Sequence, residues 1–367
     1  MKVLSVVKTK SLSHGGPPEV LKNQISNINS KSQIISVLEL DRITIFYFLK
    51  CVFFKSYRKK IYNLIKKFDI IHFHEIWSIK VILVVFFANK LLIKHFFVGH
   101  GYLDTWSIRQ KYIKKKIFIK FFLQYAFNSA SASFFSTLDE LKEVRKNIKT
   151  HNTFIIPNGL SLNKYKIRKI VERKGKKKIL FFGRIHKKKG LELLIKTIKK
   201  LPISYFEKFS FQITGPGLIK DVENLKKLIR ENSLGDKVKY DNPIYNEEKI
   251  KYLQDHDVFI LPSFEEGDSI ALKEALGSYL PVIISKQCRL DIVKEYNAGL
   301  VVETNVDSLY QALINIESLD LIKMGNQARK LIEEKFDNQM CSLRLLKIYQ
   351  DLYDGVATSK DWVLDER

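Results

Sequence analysis

Glu266 and Glu274 stand eight positions apart in "SFEEGDSIALKEALG" (263 to 277), on either side of what reads as the start of a helix. A strand, "VFILPS", comes first and "FEEG" makes the turn. From Asp268 or Ser269, either a good N-cap, the helix runs until Leu280 and Pro281 end it. Such a junction aims backbone N–H groups and the positive end of the helix dipole at one point, a place for a phosphate. Glu266 falls before that point, and Glu274, six residues past Asp268, falls about 9 Å along the axis. The carboxylates therefore flank a bound phosphate. That suits a nucleotide sugar, with pyrophosphate at the helix end, ribose hydroxyls accepted by one acid and sugar hydroxyls by the other, because an ionised carboxylate only accepts. Glu265 reads as a surface acid that favours the helix dipole.

Cations occur where a diphosphate would need them. In "ILFFGRIHKKKGLELLIKTI", Arg184 leaves a strand end and Lys189 precedes Gly190 and a helix, so both can point at phosphate; taken singly, "HKKKG" also fits a solvated basic turn. "TGPGLIK" (214 to 220) is a glycine turn after a strand, and Gly215 reads as permitting close approach of a nucleotide. It lacks the third glycine of the dinucleotide fingerprint, and no G-x-x-x-x-G-K-[ST] occurs, which disfavours NAD enzymes and P-loop ATPases. Earlier in the chain, "SHGGPPEV" puts Gly15 and Gly16 between a strand and a helix, where backbone can come near a ligand or simply turn. His100 sits between two glycines at the end of another strand, as placed to meet substrate as to serve structure. His72 and His74 of "HFHE" share a strand face but show no third metal ligand. Cys51, Cys288 and Cys341 have neither disulfide-framework nor zinc spacing, which fits a reducing cytoplasm.

The elements that would position these residues alternate along the chain. "KVLSVV", "QIISVL", "DIIHFH", "HFFVG", "SASFFS" and "TFIIP" read as strands, with amphipathic segments at 17 to 29, 77 to 92, 107 to 128 and 137 to 147. After the charged linker "KIRKIVERKGKKK" the pattern restarts with "KILFFG", "FSFQITG", "KVKYD", "VFILP", "PVIIS" and "GLVVE". The expectation is an α/β protein of two Rossmann-like, doubly wound parallel-sheet domains facing a cleft, over 1–165 and 166–337, with 338–367 as a final helix and polar tail.

Composition narrows the function. The net charge is +24, and residues 1 to 165 hold 27 Lys/Arg against 9 Asp/Glu, so the excess lies in the first half. Nucleic acid, anionic lipid or a phosphorylated substrate could each use it, and so could the compositional bias of an AT-rich genome. No nucleic-acid module is visible. The apolar start is broken at Lys8 and too short for a signal-peptide core, and the one long apolar stretch carries Lys90 and Lys94, so no transmembrane helix is expected. A glycoside hydrolase would also use two carboxylates but has no use for Arg184 and Lys189 beside an anion site; a sugar phosphorylase or epimerising enzyme of the same architecture remains open.

"IIPNGLSLNKY", "ILFFGRIHKKKGLELLI", "ITGPG" and "LPSFEEGDSIALKEALGSYLPVIIS" resemble, in order, the motifs of the retaining GT-B glycosyltransferases of family 4, and "GHGYLDTWSIRQKYIKK" resembles the first-domain segment of their bacterial surface-polysaccharide members. The resemblance implies a hexosyltransferase-type enzyme that moves a sugar with retention from a UDP- or GDP-linked donor to a lipid-linked or growing surface glycan. It places Glu266 near the donor sugar, Glu274 on the ribose, and Arg184 and Lys189 on the pyrophosphate. Gly16 matches the N-terminal glycine loop and His100 a first-domain histidine near the sugar. Gly267, Asp268 and Ser269 replace the commoner Gly-Phe-Gly. With Ile270 they supply the backbone donors to phosphate, and donor choice is expected to be written there. The final helix is expected to cross back to the first, acceptor-side domain. No cofactor or metal is expected; the partners implied are the donor, a polyprenyl-linked acceptor and an anionic membrane surface, with a peripheral location on the inner face of a bacterial cytoplasmic membrane.

Overall fold

The structure, a computed structural model, describes residues 1–9, 21, 25, 28, 35–42, 50, 54–165 and 175–356. Gly15 and Gly16, most of the segment 17 to 29 and most of the charged linker lie outside the described residues. The chain forms two compact units, residues 1–159 with everything from Asn338 onward, and residues 160–337. Residues 160–165, assigned from sequence to the first domain, thus belong to the second unit.

The first sheet is built from β1 (Val3–Val7), β2 (Ile35–Glu39), β3 (Ile70–Phe73), β4 (Lys94–Val98), β5 (Ala132–Phe135) and β6 (Thr153–Ile155), all parallel, in the order β2-β1-β3-β4-β5-β6. The second has β7 (Lys177–Phe182), β8 (Phe209–Thr214), β9 (Val238–Asp241), β10 (Val258–Leu261), β11 (Val282–Ser285) and β12 (Gly299–Val302), also parallel, in the order β12-β11-β10-β7-β8-β9. Within the second unit this is the 3-2-1-4-5-6 order of dinucleotide-binding domains. Strands covered by helices on both faces bury every position and are therefore mostly apolar, as "IIHF", "ASFF", "VFIL" and "VIIS" are, buried throughout. Each large side chain so buried contributes about 1.5–3 kcal/mol.

The helix Asn338–Asp354 belongs to the first unit. Its Leu345, Ile348 and Tyr349 complete a core with Val3, Ile70, Phe96 and Phe134, and the Tyr349 ring stacks on Phe96 at 5.8 Å. The segment 107 to 128 is not the single helix that its pattern suggests. A short helix, Thr105–Arg109, ends at Gln110; Lys111 takes a left-handed φ of 58°, and helix resumes over Tyr112–Phe118, a π turn Ile119–Leu123 and Gln124–Ser129. Among the described residues no helix is long and apolar enough to cross a membrane.

Candidate functional site

In the second sheet β7 and β10 are neighbours, yet the chain leaves β7 toward β8 and returns to β10 only after β9. Loops that depart in opposite directions open a crevice at the carboxyl ends of those strands. Arg184 is exposed there, just past β7. Lys189 ends a 3-10 turn, Lys187–Lys189, capped by His186, whose ring accepts from the Lys188 N–H at 3.2 Å. Burial lowers the His186 pKa, and the nearby Arg184 charge lowers it further. The Lys189 ammonium donates to Glu266 Oε1 at 2.6 Å, its side chain 17% exposed and that of Glu266 only 9%.

The turn after β10 is fastened from both sides. Phe264 N–H donates to Lys188 O at 2.8 Å, Glu266 N–H to Gln287 O at 3.0 Å, and the Ser285 hydroxyl to Ser263 O at 2.5 Å. The helix Ile270–Gly277 follows, and of the two cap candidates Ser269 holds the position, its Oγ accepting from Leu272 N–H at 3.4 Å. Asp268 instead accepts from Lys273 at 2.6 Å. Glu274, 3% exposed, accepts from the Tyr165 hydroxyl at 3.3 Å and from the Lys249 ammonium, both at Oε1. The second unit therefore brings Lys189 to Glu266, with Gly267, Asp268, Ser269, Ile270 and Glu274 at one helix start, while Arg184 stands exposed past the end of the neighbouring β7. Lys249 and Tyr165 were missed by sequence reasoning. Tyr165 closes the quoted motif "IIPNGLSLNKY", but nothing local marks Lys249.

One reading needs correction. Glu265 is buried, 8% exposed, with Arg289 at 3.4 Å and Lys188 at 3.9 Å; cations from two neighbouring loops remove it from the surface. Gly215 is also required by the backbone around it, since at its φ of 147° a Cβ would lie 1.9 Å from Gly183 O. Gly190 is constrained in the same way. Its φ is 71° and a Cβ would lie 1.9 Å from Pro262 O, so the Lys189 loop is pressed directly onto the end of β10. Gly190→Ala should destabilise the second unit by about 3 kcal/mol, from the left-handed backbone plus the overlap; a denaturant midpoint within error of the parent would show the contact to be slack.

In the first unit, His100 follows β4 with φ 46°, and its Nε2 lies 3.1 Å from His74 Nδ1. The rings of His74 and His72 are 4.2 Å apart, and His72 Nδ1 meets the Tyr349 hydroxyl. Burial pushes His100 down to about 4 and, with the His100 charge adding to it, His72 down to about 3. All are neutral at pH 7. The loop is anchored by the buried Glu140 carboxylate, which accepts from Gly101 N–H at 2.6 Å and Ser136 N–H at 2.7 Å. Among the described residues no group of three or more His, Cys, Asp or Glu could hold a metal.

Beside these histidines, at the carboxyl ends of β1 to β4, lies a cavity of about 430 Å³ lined by Lys8, Asp41, His74, Glu75, Trp77 and Tyr102 among others. Glu75 accepts from Ile76 N–H at 2.9 Å and Trp77 N–H at 2.7 Å, and burial raises its pKa. A sheet that reverses its order between β1 and β3 opens there for the same topological reason as the second. Aromatic rings beside carboxylates and an ammonium suit a polyhydroxylated ligand.

Two six-stranded parallel sheets with flanking helices are the architecture of the GT-B glycosyltransferases, and solved structures of that fold match the chain. The Anabaena protein HepE, solved in complex with UDP, superposes with a TM-score of 0.74 at 14% identity, covering 96% of this chain and 100% of that one. Residues 163–335, nearly all of the second unit, match the family model of the glycosyl transferases group 1. An uncharacterized glycosyltransferase of Methanocaldococcus jannaschii is 29% identical over 208 residues, 54% of this chain and 52% of that protein. The amylovoran biosynthesis glycosyltransferase AmsK of Erwinia amylovora is 30% identical over 186 residues, 48% and 45% respectively. The matched region spans about half the length of these two relatives.

Proposed function

We propose that the chain is a glycosyltransferase that moves a sugar, with retention, from a nucleotide diphosphate sugar to a growing surface polysaccharide carried on a lipid. The observation that carries this reading is Lys189 held on Glu266 beside a helix start that carries a second buried carboxylate, Glu274, with Arg184 exposed at the end of the adjacent strand of the same crevice. An ammonium has three donors, so Lys189 held by Glu266 keeps two for the diphosphate. Negative charge develops on that group as the glycosidic bond breaks, and Arg184, Lys189 and the backbone donors at Ser269 and Ile270 stabilise it. Glu274, oriented by Lys249 and Tyr165, accepts from the ribose hydroxyls. The acceptor oxygen attacks the anomeric carbon on the face the phosphate leaves, and its proton passes to the departing phosphate; no covalent nucleophile is assigned. The UDP in the Anabaena structure supports a uridine diphosphate donor, with GDP as the alternative, and the Erwinia relative supports a polysaccharide acceptor. The cavity beside His74 and Trp77 is offered as the acceptor side, with the protein working at the inner face of the cytoplasmic membrane and without a metal.

A panel of nucleotide sugars, screened by thermal shift and by nucleotide release, tests the assignment. One donor should raise the melting temperature, by an amount equivalent to about 2.7 kcal/mol at a hundred times its Kd. Arg184→Ala and Glu274→Ala should each weaken that response. If neither substitution alters the binding or turnover of any stabilising donor, the site is elsewhere.

A further inference from the structure

We propose that the outer face of the helical stretch Tyr112–Ser129 in the first unit is a docking surface for an anionic lipid bilayer. Six large apolar or aromatic side chains stand in solvent along it: Tyr112, Ile113, Ile117, Phe121, Phe122 and Tyr125, with Ile113 at 73% and Phe121 at 65% exposure. The buried side of the same stretch is Ile119, Leu123, Ala126 and Phe127, so the exposed row is a second apolar face and not the core face turned outward. The π turn, in which Gln124 N–H reaches back to Ile119 O, lengthens one turn. It thereby offsets the usual sideways drift of residues four apart and keeps Ile113, Ile117 and Phe121 in one row. The patch continues onto the helix Ile79–Lys90, where Asn89 donates to the Tyr125 hydroxyl at 3.1 Å and Phe86 is 41% exposed.

What covers such a face is decided by its rim. Between Asp104 and Asp139 the chain has five lysines and an arginine but neither Asp nor Glu. Lys116 and Lys120 flank the row on one side and Lys114 on the other, all exposed. The Lys116 ammonium lies 5.0 Å from the Tyr112 ring centroid, that of Lys120 5.7 Å from Phe121, and that of Lys90 4.6 Å from Phe86. A cation beside a ring lets the ring enter an acyl boundary while the ammonium meets a headgroup phosphate. A second copy of the chain would set these lysines against themselves. On a nucleic acid the aliphatic Ile113 and Ile117, among the most exposed members, would gain nothing from a phosphate backbone. Lys115 is excluded from the rim because it donates inward to Ser107 O at 2.6 Å.

The surface does not depend on the chain's being a transferase, and the test keeps the two apart. The full chain is sedimented with vesicles of phosphatidylcholine alone and with about one third phosphatidylglycerol, at low and high salt. Binding should require the anionic lipid and weaken with salt. Each lysine removed should lower partition about fivefold, so Lys114→Ala with Lys116→Ala and Lys120→Ala should lose roughly a hundredfold. Ile113→Ser with Phe121→Ser should lose at least about tenfold at every salt concentration. All five positions are exposed, so the unfolding transition and the release of nucleotide from a soluble donor should stay at parent values. Equal binding to neutral vesicles, anionic binding unchanged in either variant, or failure to sediment with vesicles while polyglutamate still binds would each overturn the proposal. Vesicle binding in a protein that binds no nucleotide sugar would instead remove the transferase reading and leave the surface standing.

Discussion

Lys189→Met should lower donor turnover by about 10²- to 10³-fold, the cost of removing one preorganised donor to a developing negative charge. It should also destabilise the second unit. The ammonium lies 2.6 Å from Glu266, itself 7% exposed, and removing one partner of a buried pair costs about 3–5 kcal/mol because the other charge is left uncompensated. The two effects separate in the double variant Lys189→Met/Glu266→Gln. There the stranded carboxylate is gone and stability should largely return, whereas turnover should remain low. Were Lys189 only a structural counter-charge for Glu266, the double variant would regain activity together with stability, and the proposed contact with the diphosphate would be wrong.

Acidification should unfold the first unit well before general acid denaturation. His72 is held down to about 3 and His95 and His100 to about 4, in each case chiefly by burial, and His74 lies well below its ordinary value for the same reason. The unfolded chain takes up a proton at each of these near pH 6.5, while the folded unit refuses it until the lowered value is reached. Stability is therefore full above pH 6.5 and falls steadily below it. By pH 5 each of His72, His95 and His100 costs about 2 kcal/mol. The raised pKa of Glu75 runs the other way, but it is one group against four. Tryptophan fluorescence reads this unit and not the other, since no tryptophan falls within residues 160–337 and Trp77 is held in the first unit, its indole N–H donating to Tyr102 O at 3.1 Å. The denaturant midpoint by fluorescence should drop sharply between pH 7.5 and pH 5.0; an unchanged midpoint would mean that the histidines are reached by solvent.

The twelve strands among the described residues were legible to within a residue or two because most are short apolar runs stopped by a turn former, as "KILFFG" and "VFILP" are. The helix that starts at Ile270 was legible from Ser269 and Pro281 for similar local reasons. Side-chain partnership was not. An acid just before a helix is as well explained by the dipole as by an ion pair, and only the folded arrangement of the loops around Lys188 and Arg289 buries Glu265. Lys249 meets Glu274 across 25 residues with no pattern to announce it. The break at Lys111 escaped because "RQKYIKKKIFIKFF" is rich in both lysine and apolar residues on every side, so its periodicity could not locate an interruption. The backbone constraint on Gly215 comes from Gly183, just past the end of the neighbouring β7, and its neighbours in sequence do not announce it.

The placement of the helix Asn338–Asp354 has a consequence for how the chain is made. Strand β6 ends at Ile155, and the helix that closes the same core begins only at Asn338. At about 5–20 residues per second, a ribosome needs on the order of ten to forty seconds to cover that interval. Throughout it, the nascent sheet must hold Phe96 and Phe134 without the ring of Tyr349 that stacks on one and crosses the other. The second unit, whose residues are contiguous, can finish folding as soon as it emerges. The part of the chain synthesised first is thus completed last, and its open apolar face is the surface a nascent-chain chaperone would meet.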